Sequence, residues 1–228
     1  NIYSRLDEQL RGRDYYERAL AIYRELDEPD GIGKCLNNIG NTYEKLDQDD
    51  EAMRYFEQAV AIARRIGKRS NEADPLNNMG IVYKKRGQYE KARAQYFEEV
   101  KIRTELQQAA ALGSDYHNIA ETYFLEKRYD EALAYLDKAL AVGREVGSNE
   151  ILSIAYRLLA QVHAARGDYR RAYDHEVLYA DTRAAMLDEQ RNEKIAELQE
   201  KYQADAREQE IASLSKDKEL LTKDGEIR

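Results

Sequence analysis

Apolar positions in this chain recur at helical spacing, and the helical stripes themselves recur. Leu36, Ile39, Gly40 and Tyr43 fall at i, i+3, i+4 and i+7, the signature of one buried helix face. Asn37, Asn38 and Asn41 lie off that face. After a short turn at residues 47–49, Ala52, Tyr55, Phe56, Ala59, Val60 and Ala63 form a second stripe. Gly67, behind Arg64 and Arg65, ends it as a C-terminal glycine behind cations should. The pair of stripes then repeats. LNNIGNTY at residues 36–43 returns as LNNMGIVY at 76–83, as YHNIAETY at 116–123 and, eroded, as YRLLAQVH at 156–163. The interval is 40 residues each time, without insertion or deletion. A fixed period of this kind marks stacked repeats, each unable to bury its apolar face alone.

The expected array covers residues 1–186, as a partial unit (1–30) and whole units at 31–69, 70–108, 109–148 and 149–186. The partial unit keeps its second helix, near residues 13–26, and lacks most of its first; a 40-residue shift lays Tyr3 on Tyr43. Pro29, Asp30 and Gly31 read as the break that follows. Asp74 and Pro75 read as an N-cap and the first residue of a helix. Glu99 occupies the post held by Ala19, Ala59 and Ala139, so looser packing, or a carboxylate reaching the edge, is expected there. In the fifth unit Glu176 and Tyr179 break the pattern, as suits a helix with no further repeat to cover.

Residues 187–228 change character, with 12 acidic and 8 basic residues among 42. Ile195, Leu198 and Tyr202 follow a 3–4 spacing; Ile211, Leu214 and Leu221 resume it out of phase, a stutter. Glu197–Lys201 and Glu219–Lys223 are favourable i, i+4 pairs. Such a helix cannot bury its stripe alone, so it is a parallel coiled coil or a frayed tail.

Composition narrows the classes. Only 2 Pro and 12 Gly oppose a turn-rich β fold, and 18 Tyr with 3 Phe and no Trp make Tyr the main aromatic packing residue. The net charge of −8 argues against nucleic acid as the main partner, which requires a concentrated basic surface. Cys35 is alone, so no intrachain disulfide forms; that suits a reducing compartment and equally a bridge-free secreted protein. No stretch reaches the ~20 apolar residues of a membrane span. The chain opens in mid-repeat and closes in a charged run, as an excised piece does, so the lack of a targeting signal carries no weight.

The units resemble the tetratricopeptide repeat, a helix–turn–helix unit with a Leu-Gly, a Tyr, then an Ala and an aromatic at set offsets. Leu36, Ile39, Gly40, Tyr43, Ala52 and Phe56 match, and the match covers residue 1 to about Tyr179. The repeat's closing Pro is absent, replaced by Arg64, Thr104 and Arg144, and the period is 40 rather than 34. The longer unit, opened by LNN, looks like the repeats of kinesin light chains and of Rap-type and LGN-type signalling adaptors. The run at residues 194–214, KIAELQEKYQADAREQEIASL, is similar to the helical linker of bacterial sensors. In those, a tetratricopeptide ectodomain leads through such a helix to a membrane span and a histidine kinase or diguanylate cyclase. The resemblance implies an all-α, right-handed superhelix followed by a long C-terminal helix, and a periplasmic sensory role.

By the geometry of the family, the other face of each first helix lines a concave groove. That face carries Lys34, Asn37, Asn38, Asn41, Glu44 and Lys45, then Asp74, Asn77, Asn78, Ile81, Lys84 and Lys85. It continues with Ser114, His117, Asn118, Glu121, Phe124 and Leu125, then Arg157, Gln161, Ala164 and Ala165. Asn38, Asn78 and Asn118 share one post, although Asn is disfavoured in mid-helix by roughly 0.5 kcal/mol relative to Ala. A carboxamide donates and accepts, which suits an extended peptide backbone; in the resembling families Asn at this post binds one. The alternative is that each Asn ties its helix to the next unit. Five cations (Lys34, Lys45, Lys84, Lys85, Arg157) face three acids (Glu44, Asp74, Glu121), a local excess that would steer an acidic segment or a free C-terminal carboxylate, unless the face is merely solvated. Phe124 and Leu125 suggest an apolar pocket, or contact with the next unit or a dimer mate.

Catalytic readings fail. His163 sits at a Tyr post and reads as packing, His175 has no second His at i+4, and Gly33-Lys34 lacks the upstream glycine of a phosphate loop. GxSxG and GxGxxG are absent, and Cys35 reads as a half-buried, inert thiol. No metal or cofactor is expected. Two functions remain: a non-catalytic domain that binds a peptide or protein segment in a signalling protein, and an oligomerisation scaffold paired through residues 187–228.

Overall fold

The computed structural model describes the backbone of residues 2–226 and the side chains of residues 10–205, 207 and 208. Among these, the secondary structure is entirely helical: α1 (Ile2–Glu25), α2 (Pro29–Lys45), α3 (Asp49–Arg65), α4 (Ser70–Lys85), α5 (Tyr89–Glu105), α6 (Ala109–Leu125), α7 (Tyr129–Glu145), α8 (Asn149–Ala165) and α9 (Tyr169–Glu226). The chain divides into two compact units, residues 1–180 and 181–228. In the first, α1 to α8 pack side by side in succession, and the first helices of successive repeats also touch, α2 on α4 and α6 on α8. First helices therefore share one face and second helices the opposite one.

The 40-residue period is two nearly equal halves. Left-handed residues fall every 20 positions, at Asp27, Asp47, Gly67, Gly87, Gln107, Lys127, Gly147 and Gly167, with φ from 49° to 79°. Each closes a helix by the same pair of bonds. At Asp47, for example, its own N–H donates to Glu44 O and that of Gln48 to Tyr43 O. These bonds satisfy the otherwise orphaned carbonyls of the last turn.

Glycine at the phrase's fifth place is dictated by its partner. A Cβ on Gly40 would stand 2.5 Å from the Phe56 ring, and one on Gly80 would overlap the ring of Tyr96. Both rings are fully buried, each contributing roughly 2 kcal/mol of apolar burial. Where the partner shrinks to Leu136 the glycine becomes Ala120, and both are fully buried.

Several expectations change. α1 runs without a break from Ile2, eleven residues before Arg13, and Tyr3 lies outside the described side chains. Pro29 opens α2 and Gly31 lies inside it, so the break is residues 26–28. α4 begins at Ser70; Pro75 sits inside it and Asp74 accepts from Arg103 instead of capping. The second helix of the fifth unit and the C-terminal helix are one helix, α9. Glu99 neither loosens the packing nor reaches the edge. It is fully buried, accepts from Arg103 Nε at 2.9 Å, and lies by Asp115 of α6, which is 3.3 Å from the same nitrogen. Glu99 Oε2 and Asp115 Oδ2 are buried without another partner, as expected when one proton is shared between them. Burial first, then Asp115, pushes the Glu99 carboxyl up to about 9.

In the second unit Leu187, Ile195, Leu198 and Tyr202 are exposed. Glu197 pairs with Lys194 at 2.6 Å, not with Lys201. Glu219–Lys223, Ile211, Leu214 and Leu221 lie outside the described side chains. Among the described residues no helix is long and apolar enough to cross a membrane.

Candidate binding face

The face shared by α2, α4, α6 and α8 is built on a ladder of carboxamides. Asn78 Nδ2 donates to Asn37 Oδ1 at 3.0 Å, and Asn118 Nδ2 donates to Asn77 Oδ1 at 3.3 Å. The Asn at the phrase's third place thus reaches back 41 residues to the Asn at its second place, one repeat earlier. Of the two readings of these asparagines, the inter-repeat tie is what Asn78 and Asn118 form. The tie leaves an N–H on Asn37 and Asn77 and a carbonyl lone pair on Asn78 and Asn118 uncommitted. Asn38 and Asn41, both half-buried, have side chains free of hydrogen bonds among the described residues.

The ladder stops at the fifth unit, where the third place is Leu158 and the second place before it is His117. Leu158 is buried, and His117, Glu121, Ile154, Arg157, Leu158 and Gln161 enclose a cavity of about 210 Å³. Burial holds the His117 imidazole below the usual histidine range, with Glu121 opposing; the ring is neutral at pH 7 and can donate and accept. A second cavity, about 290 Å³, lies between α2 and α4 against Lys34, Asn37, Asn38, Ser70, Asn71 and Asp74.

The excess positive charge expected on this face is largely cancelled. Lys34 pairs with Asp30 at 3.0 Å, Lys84 pairs with Glu121, and Lys85 reaches Asp47 at 2.6 Å and Asp49 at 3.2 Å. Asp30, which also accepts from Asn71 and pairs with Lys68, is held down at about 2, first by Lys34. Asp47 raises the Lys85 ammonium further. Sequence reasoning misses Asp30, Asp47 and Asp49 because they belong to helix starts and turns rather than to the first-helix face. Overlaying Lys85 on Lys45, two residues before Asp47, exposes that pair. Lys45 and Arg157 have no ion pair among the described residues. Phe124 is half-buried, packs against the core of the last repeats and contacts Tyr129, ring centroids 6.1 Å apart. Leu125 is 43% exposed. Cys35 is buried rather than half-buried, and burial raises its thiol.

Helix pairs stacked at a fixed 40-residue period, first helices on one face and second helices on the other, define a helical-repeat solenoid. A family profile described as tetratricopeptide repeat matches residues 1–65, 36–105 and 108–176, and the chain belongs to that family, a protein-interaction module. No curated protein matches by sequence. Among solved structures the chain is similar to BtubC (BKLC) from P. vanneervenii, with 24% identity over 78% of this chain and 74% of that one, TM-score 0.72. It is also similar to a Rap protein complexed with Competence and Sporulation Factor, 17% identical over 78% of this chain and 50% of that one, TM-score 0.68. A third is the STAND protein with a tetratricopeptide repeat sensor, PH0952 from Pyrococcus horikoshii, 18% identical over 78% and 28%, TM-score 0.65. At these identities the likeness is one of fold. No catalytic family is indicated.

Proposed function

We propose that the face of α2, α4, α6 and α8 binds an extended peptide or protein segment, and that the chain is the sensory or regulatory part of a bacterial signalling protein. The observation that carries this reading is the carboxamide ladder. Each rung holds two Asn side chains in place before any ligand arrives, which lowers the ordering cost of binding. Each also presents one spare donor and one spare acceptor, the complement of a peptide unit. Residues 34, 37, 38, 41, 77, 78, 84, 85, 117, 118 and 157 contribute to the face. With Lys34, Lys84 and Lys85 paired, an acidic side chain or terminal carboxylate is best placed at Arg157, beside the cavity that Ile154 and Leu158 floor. The Rap neighbour, complexed with Competence and Sporulation Factor, and the STAND neighbour, with its repeat sensor, support a signalling role.

The test is selection of a random-peptide display library on the whole chain, followed by calorimetry of the enriched peptides. Asn38→Ala and Arg157→Ala touch neither rung and should each weaken binding about tenfold. A library without enrichment, or peptides that bind the variants as tightly as the parent, would contradict the reading. A second reading, a scaffold paired through residues 187–228, rests on the exposed Leu187, Ile195, Leu198 and Tyr202. Sedimentation of the chain with and without that segment tests it, and two monomers would exclude it.

A further inference from the structure

His163 on α8 and His175 on α9 stack, ring centroids 5.2 Å apart and planes 17° apart. Their posts are informative. In the second unit the same two posts hold Tyr43 and Tyr55, stacked at 5.3 Å and 12°. In the fourth they hold Tyr123 and Tyr135, stacked at 5.7 Å and 19°. The last hairpin keeps the geometry and replaces a phenol pair by an imidazole pair. His163 is buried, and His175 also stacks on Tyr156. His175 Nδ1 is buried without a hydrogen-bond partner, so no carboxylate waits to receive a proton placed there.

We propose that the His163–His175 stack is an acid-triggered release for the packing of α9 on α8, while the hairpins stacked through Tyr pairs stay closed. Two imidazolium rings face to face with centroids 5.2 Å apart repel, whereas two phenols carry no charge at any physiological pH. The surrounding charges do not reverse this. Asp168 and Asp174, with Asp137 from α7, favour the protonated rings, and Arg166 and Arg171 oppose them. Burial outweighs all of these at both rings and lowers both, His163 further lowering His175. The folded hairpin therefore binds fewer protons than the open one. Its stability is complete above the ordinary histidine range and is lost as pH falls through and below it.

The test is hydrogen exchange on the whole chain at pH 7.5 and pH 5.0, corrected for intrinsic rates. It compares residues 169–180 of α9 with residues 129–145 of α7. The opening of 169–180 should rise several-fold on acidification, because the open hairpin takes up protons that burial denies the folded one. That of α7 should not rise. In His163→Tyr/His175→Tyr the rise should vanish. If that variant does not fold, His175→Gln, the residue type that Gln95 supplies at this post in the third unit, should shrink the response to that of one proton. Equal acid responses in both segments, or an undiminished response in the variants, would overturn the proposal.

Discussion

Replacing Glu99 by Gln, between Arg103 and Asp115, should stabilise the array at neutral pH. The folded carboxyl is raised to about 9, against an unfolded value near the usual 4.3. Folding then takes up a proton throughout the interval between. The stabilising contribution is full below about pH 4 and is lost as pH rises toward 9. Each pH unit is worth ~1.4 kcal/mol, so by pH 7 roughly 4 kcal/mol has gone, as an upper figure for a residue coupled to Asp115. A glutamine is neutral at every pH. Its carbonyl can accept from Arg103 Nε as Glu99 Oε1 does, and its N–H can donate to the buried Asp115 Oδ2. Urea unfolding of parent and variant at pH 5, 7 and 8.5 should show near-equal stability at the lowest pH. A gap in the variant's favour should open to roughly 2–3 kcal/mol above it. Parallel pH slopes, or a variant weaker than the parent at pH 7, would refute the shared-proton account.

Other outcomes follow from the same geometry. Gln107→Gly and Lys127→Gly, at left-handed posts that Gly67 and Gly87 fill elsewhere, should each raise stability by about 1 kcal/mol in thermal unfolding. Gly80→Ala should cost roughly 1–3 kcal/mol, because the buried Tyr96 ring cannot move aside, and Tyr96→Leu in the same chain should recover most of it, as Ala120 and Leu136 do naturally. A double-mutant cycle on Asn37→Ala and Asn78→Ala should show about 1 kcal/mol of coupling; additivity would mean the rung does not form in solution.

The fold is largely legible in the sequence because it rests on periodic apolar burial. Leu36, Ile39, Gly40, Tyr43, Ala52 and Phe56 mark the core posts, and their 40-residue images place every later hairpin. What escapes is information of longer range or of backbone detail. Pro75 signals a helix start, yet α4 begins at Ser70 because burial of Glu72 between Arg64 and Arg69 holds its first turn. The half-period of 20 residues is hidden in side chains, since Asp27, Asp47, Gln107 and Lys127 do not advertise the conformation that Gly67 does. On the candidate face, the Asn posts are visible in the repeat, and a tie to the next unit is one of the two roles their spacing allows. The neutralising acids become visible only once two repeats are stacked, because Asp47 and Asp49 meet Lys85 across them.

The most direct measurement is of the asparagine side-chain amide resonances of the whole chain, titrated with a peptide enriched by display. Shifts confined to Asn37, Asn38, Asn77, Asn78 and Asn118, with the Arg157 Nε signal moving at the acidic end of the ligand, are the expected result. A saturable peptide that leaves these amides unmoved, or that shifts only the second-helix face, would contradict the claim that the ladder is the binding surface.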